Sequence, residues 1–215
     1  WAYGTNGIRN GMATSLFLLA ISRDKRIFQI VLLFIAINFH KTMILPALGF
    51  VITSFYNKPK GFLYFWIFAI PLSLLLPGFW ESLFGSMMED ERAVYFTDET
   101  YADSFSSSGF RWDFLLYSAT GVFAGWYYWY KKRIEDPIYL QLFNTFLFAN
   151  AFWILVIRAS FSNRFAYLSW FMLALVIVYP WLKEQFIQKQ FKKLGFVILI
   201  YFSFTYIMNV ILIKQ

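Results

Sequence analysis

The chain has 215 residues, a formal net charge of +7 and no cysteine; 60% of it is hydrophobic, 24% aromatic, and the mean hydropathy is +0.54. A soluble domain is about 45–50% apolar, so this composition argues against one, and the lack of cysteine excludes disulfides and thiol chemistry. Five nearly uncharged runs, Gly61–Trp80, Phe114–Tyr130, Ile138–Ile157, Phe165–Leu182 and Leu194–Ile213, each match the ~30 Å apolar slab of a bilayer at about 1.5 Å per helical residue. A membrane β-barrel would show short alternating segments instead. The expected fold is all-α: a polytopic transmembrane helical bundle of about 6–8 membrane helices, with residues 1–215 forming one integral membrane domain.

The basic residues set the expected topology, because cytoplasmic loops are enriched in Lys and Arg. Clusters stand at Arg23/Lys25/Arg26, Lys58/Lys60, Lys131/Lys132/Arg133 and from Lys183 to Lys193. If all four face inside, the segments between them pair into outward hairpins. The positive charge is then a topology signal, and no nucleic-acid partner is expected.

The first element is a helix over 4–21. Its start, "TNGIRNG", lacks the basic stretch of a signal peptide. The chain opens at Trp1, and a further N-terminal part is expected to precede it. At helical spacing Asn6, Arg9 and Asn10 share one face, a polar stripe on an apolar helix. Gly7 and Gly11 would let a helix or a ligand approach closely. The stripe is either a helix–helix contact or part of a binding site.

Residues 27–55 follow as one hairpin whose arms, Ile27–Asn38 and Thr42–Phe55, are short for full crossings. Pro46 is expected to interrupt the second arm. A re-entrant or half-buried pair is expected, tolerated where protein or a wet cavity covers its turn. That turn carries the single histidine, His40. It is either a structural residue or, with its pKa near neutrality, a general base.

After the outward run of 61–77 comes the long outer loop, Pro77–Asp113, with residues 78–113 outside the membrane. It carries Glu81, Glu89, Asp90, Glu91, Asp98, Glu99, Asp103 and Asp113, and one short helix is expected near Trp80–Tyr95. A loop of this length is commonly functional. At its end "GFRWDF" places Arg111 and Asp113 where the chain re-enters the membrane; the two either pair with each other or contact a ligand. Trp112 has the character of an interface anchor.

Residues 138–157 run outward and 165–182 return. Between them lies "VIRASFSNRF", with Arg158 ending one helix and Arg164 beginning the next, and Ser162 or Asn163 as N-cap. The arginines either snorkel to lipid headgroups or bind an anion. The cations sort by side. The inner clusters hold mostly lysines, while Arg9, Arg92, Arg111, Arg158 and Arg164 fall outside with only Lys41 and Lys214. Positive-inside selection does not account for outer arginines, whose planar fork matches phosphate bidentately. One histidine and no cysteine give no metal-ligand spacing, and no metal or cofactor is expected.

"NGIRNGMA", a basic turn, an apolar run ending in "FH", and "FSNRFAYLSWF" together resemble the EpsG-type family of bacterial exopolysaccharide and O-antigen polymerases (Wzy-like), from Asn6 to about Pro180. The resemblance implies a metal-independent glycosyltransferase of the bacterial inner membrane, multi-pass, with its site facing the periplasm. Such enzymes join oligosaccharide repeat units carried on undecaprenyl diphosphate, for capsule, exopolysaccharide or O-antigen. Implied partners are the lipid-linked oligosaccharide, membrane lipids and other polysaccharide-assembly proteins. The expected catalytic set is His40 as base with Arg9, Arg158 and Arg164 on the diphosphates. Arg111, Asp113, Asn163, Asn6 and Asn10 are expected as supporting substrate contacts, and the acidic loop as a lid or sugar-recognition element. Two functional alternatives stay open, a GT-C-like transferase using a polyprenyl-phosphate sugar and a non-enzymatic lipid-linked oligosaccharide transporter. A third is a purely structural membrane subunit.

Overall fold

A computed structural model of the chain describes residues 7–87, 109–159 and 162–207, without the side chains of 84–87 and 162–164. The described residues form helices α1 (Ile8–Ile21), α2 (Arg26–Phe39), α3 (Ile44–Phe55), α4 (Pro59–Leu75), α5 (Phe79–Met87), α6 (Trp112–Trp126), α7 (Pro137–Leu155), α8 (Ser162–Lys183) and α9 (Gln190–Tyr206). A 3₁₀ turn, Lys41–Met43, leads into α3, and a π-helical turn, Tyr127–Lys131, extends α6. Among the described residues two helices are long and apolar enough to cross a membrane, Pro137–Leu155 and Phe165–Lys183, each 19 residues; α1 to α4 are shorter apolar helices. The chain divides into two compact units, one of residues 1–47 with 177–215 and one of residues 48–176.

In the second unit α7 is the hub. Its length is read directly from sequence: Pro137 suits the first helical position, and Asp136 caps the helix by accepting from the Tyr139 N–H at 2.9 Å. It is apolar all round and mostly buried, as a helix enclosed by others must be. Pairs along it give the direction of each neighbour. Trp66 of α4 meets Asn150 and Phe65 meets Phe148, so α4 advances with α7. Tyr139 meets Val176 while Trp153 meets Trp170, so α8 runs the other way. Gly125 faces Phe143 and Gly121 faces Phe146, so α6 is antiparallel too. Thr53 meets Thr145 and Gly49 meets Phe148, which sets the α3 residues of this unit antiparallel. This alternation is the one expected from the basic clusters.

Neutral polar side chains join these helices. The Asn150 amide nitrogen donates to Ser118 Oγ of α6 at 3.0 Å and to Ser169 Oγ of α8 at 2.8 Å, and its oxygen accepts from Trp66 Nε1 of α4 at 2.7 Å. Trp170 Nε1 adds a bond to Ser118 Oγ at 2.7 Å. Nearer the other end of α7, Asn144 donates to Asn57 and Gln141 to the Phe50 carbonyl. With lipid outside, such bonds and close packing of small residues hold helices together, because burial of apolar area does not distinguish a neighbour helix from a lipid tail.

The closest approach is at Gly125, where an added Cβ would lie 2.1 Å from Phe143 Cε2. Phe143 is fully buried and has no room to retreat. Gly125→Ala is therefore expected to destabilise the protein by about 1–3 kcal/mol through overpacking, read as a lower melting temperature in detergent. An unchanged melting temperature would contradict this packing.

In the first unit α1 and α2 form an antiparallel hairpin joined at Ser22–Lys25. Ala13, Ala20 and Ala36 are buried, the small residues that let two backbones come close. The expected short hairpin arms are present, at 14 residues for α2 and 12 for α3. Pro46, however, does not interrupt its arm. It stands in the first turn of α3, where a missing N–H breaks no helical bond. In the same unit Gln190 closes the connection from α8 to α9, donating to the Trp181 and Glu184 carbonyls and accepting from the Phe186 N–H. Helix α9 exposes Phe196, Leu199 and Phe202, apolar surface suited to lipid.

Candidate functional site

The candidate residues fall into two groups, one in each unit. In the unit of residues 1–47 and 177–215, the α1–α2 hairpin brings the start of α1 beside the end of α2. Arg9 lines an open groove of about 410 Å³ with Phe34, Ile35, Asn38 and Phe39. A second groove of about 580 Å³, lined by Met12 and Leu16 among others, shares Ile35 and Phe39 with the first. The two adjoin as an apolar trough with a guanidinium at one end. Asn10 turns its Oδ1 inward, buried and without a hydrogen-bond partner. Asn6 lies outside the described residues. His40 follows Phe39 directly, with an extended backbone that ends α2, and its Nδ1 is engaged by Thr42 Oγ1. Arg9 and His40 thus share one end of one hairpin, although 31 positions separate them.

In the unit of residues 48–176, the α7–α8 turn holds Arg158 just beyond the last turn of α7. Helix α8 begins at Ser162, two residues before Arg164, so Ser162 and Asn163 lie within its first turn and are not its N-cap. The backbone places Arg164 and Asn163 at the same end of the hairpin as Arg158; their side chains lie outside the description. Arg158 is half-buried, its Cζ 5.9 Å from the centre of the Phe110 ring, and its Nε is buried with no partner. Arg111 and Asp113 pair with each other. Arg111 donates from Nε to Oδ1 at 2.9 Å and from Nη2 to Oδ2 at 2.6 Å, while its Cζ lies 3.7 Å from the centre of the Phe114 ring. An anion reaching Arg111 would have to compete with that carboxylate. Trp112 is exposed.

The most informative residue here is one the sequence did not single out. "LPGF" makes a tight turn, with Gly78 at φ +77°, a backbone that favours glycine. The turn starts α5, and Trp80 Nε1 ties α5 back to the Leu72 carbonyl of α4 at 3.3 Å. Glu81 falls in the first turn of α5 and is only 5% exposed. Both carboxylate oxygens are buried, and no donor meets either in full hydrogen-bond geometry. Burial pushes its carboxyl above the ordinary glutamate range; the backbone N–H groups of Glu81, Gly78 and Arg158 and the charge of Arg158 act against that shift without reversing it. In sequence Glu81 is one of eight acids in one loop, and nothing local separates it from the rest. Glu89, Asp90, Glu91, Arg92, Asp98, Glu99 and Asp103, and most of the expected Trp80–Tyr95 helix beyond Met87, lie outside the described residues.

Helices with apolar exteriors, joined by buried neutral polar contacts, define an all-helical membrane protein. The chain matches the model of the EpsG family over residues 2–215 and belongs to that family. Membership indicates a polysaccharide-polymerase type of function, a glycosyltransferase-like activity in polysaccharide biosynthesis. No curated protein and no solved structure matches the chain.

Proposed function

We propose that this protein is a polysaccharide polymerase joining undecaprenyl-diphosphate-linked oligosaccharide units at the periplasmic face of the bacterial inner membrane. The observation that carries the reading is the α7–α8 turn, which sets Arg158 and Arg164 at one end of the hub hairpin in a chain that belongs to the EpsG family.

The chemistry follows from the parts. The acceptor sugar's hydroxyl oxygen bonds to the anomeric carbon of the donor chain, and the bond from that carbon to the diphosphate breaks. The electron pair leaves with undecaprenyl diphosphate. Guanidiniums stabilise the charge that develops on the leaving group, most strongly where water is scarce, and no metal is needed for that task. In the unit of residues 48–176, Arg158 and Arg164 are assigned to a diphosphate, with Asn163, Arg111 and Asp113 as supporting contacts; in the other unit, taken by itself, Arg9 is assigned to a diphosphate, with Asn6 and Asn10 in support. The trough beside Arg9, apolar with a cation at its end, suits a polyprenyl tail and its headgroup. His40 is a candidate acceptor for the hydroxyl proton. A transporter would want charge along a crossing path, whereas the polar residues buried by α7, Asn144, Thr145 and Asn150, are neutral and hydrogen-bonded to Asn57 of the α3–α4 connection, to α7 itself and to α6.

The test is polymerisation in vitro by the full chain, purified in detergent and given its own undecaprenyl-diphosphate-linked repeat unit. A ladder of products longer by whole repeats is expected, with release of undecaprenyl diphosphate. If single units persist while the protein is folded, the reading is wrong.

A further inference from the structure

Glu81 poses a physical problem. A carboxylate that is 95% buried, with backbone N–H groups of Glu81, Gly78 and Arg158 near it but no donor in full hydrogen-bond geometry, carries a desolvation cost if ionised that those groups only partly offset. The nearest compensation is incomplete. Arg158 acts on Glu81 through its charge and its backbone N–H, but its guanidinium forms no ion pair with the carboxylate, and Arg158 Nε is itself buried without a partner. A purely structural pair would close, since a bidentate Arg–carboxylate contact satisfies both groups. Arg111 and Asp113 show it a short distance along the chain. Glu81 and Arg158 instead leave an acceptor and a donor open at the same end of one unit. Groups left open in this way fit a ligand that brings both a hydroxyl and an anion.

We propose that Glu81 is the general base of the transfer step, receiving the proton of the acceptor sugar's hydroxyl while Arg158 holds the diphosphate. The proposal rests on the polymerase reading and moves the base from His40 to Glu81. In the step, the hydroxyl proton passes to a Glu81 carboxylate oxygen as the sugar oxygen bonds to the anomeric carbon. The bond to the diphosphate breaks, and the proton is later lost to water. Burial suits this role: a carboxylate held above the ordinary range is a stronger base than one in water, and a dry site strengthens its hydrogen bond to the incoming hydroxyl.

The experiment uses the full chain in detergent with the lipid-linked repeat unit, and binding of bare undecaprenyl diphosphate is followed separately by tryptophan fluorescence. Glu81→Gln, equal in size, is expected to lower kcat by about 10²- to 10⁴-fold, the usual contribution of a general base. The Kd for undecaprenyl diphosphate should change by no more than about threefold. Glu81→Ala is expected to recover about tenfold or more of its lost rate when sodium formate is added, because a small carboxylate can enter the vacated space. A merely structural Glu81 would give no formate rescue. Glu81→Gln with near wild-type kcat, or Glu81→Ala with no rescue, overturns the assignment while wild-type polymerisation leaves the polymerase reading intact. If wild type neither polymerises nor binds undecaprenyl diphosphate, both fall. Should Glu81→Gln fail to fold, Glu81→Asp decides: as a base it keeps a measurable rate, and complete loss in a folded Asp variant that still binds the lipid counts against the proposal.

Discussion

Lysine in place of Arg164 is expected to abolish detectable polymer, a loss of about 10²- to 10³-fold in rate, while the amount of membrane-inserted protein stays unchanged. The charge is preserved in this substitution, so net electrostatics and topology are not perturbed. What is lost is the planar fork, which presents two parallel N–H donors to a pair of phosphate oxygens; an ammonium is a compact, strongly hydrated point charge. Where two arginines flank one tight turn, both forks can address one diphosphate. Arg158→Lys should therefore give a comparable loss, and the double variant should lose little more than either single one, because groups acting as a unit are not additive. Snorkelling arginines behave differently, since lysine reaches headgroups equally well and chain length would stay normal. Polymer length on a gel, normalised to protein in the membrane fraction, separates the two cases. Normal polymer from Arg164→Lys would remove the arginines from the site.

The second large effect is on stability. Asn150→Leu is expected to cost about 2–4 kcal/mol, read as a marked fall in melting temperature or in the SDS fraction needed for unfolding. Leucine keeps the branched heavy-atom skeleton of asparagine and is the bulkier of the two, so no cavity opens. The cost comes from three lost bonds, to Trp66 of α4, Ser118 of α6 and Ser169 of α8. The indole N–H of Trp66 is left buried without an acceptor. Bonds between membrane helices are individually modest, but here one side chain serves four helices, including its own. Trp66→Phe removes only one of these bonds and should cost about 1 kcal/mol. The two substitutions should be non-additive, because they share that bond. An Asn150→Leu protein as stable as wild type would show that packing alone holds these helices.

Much of the fold is legible in the chain itself. Asp136-Pro137 caps and opens α7, and the apolar run after it has the length and the uniformity of a membrane helix. The basic clusters predict which helices run together, and the pairs along α7 agree with them. The spacing of Arg158 and Arg164, astride "ASFSN", already implies one turn between two helices. These features are local: caps, run lengths and charge asymmetry depend on neighbours in sequence.

Other features depend on which segments meet in space. Asn150 sits in an apolar stretch where a single amide gives no warning that Trp66, Ser118 and Ser169 will surround it. Pro46 reads as a breaker until its place in a first turn makes the missing N–H harmless. Glu81 is chemically identical in sequence to the acids that follow it. Only the Pro77–Gly78 turn, folding α5 back onto the end of α4, buries its carboxylate and sets it under the charge of Arg158. The sequence by itself determined the helices, their order, the alternating directions of those around α7 and the presence of arginines at the turns between the basic clusters, because each follows from local chemistry and from the thickness of a bilayer. The tertiary structure decided which polar groups are paired and which are left open. Desolvation and hydrogen-bond satisfaction belong to the assembled unit, and no single stretch of sequence contains them.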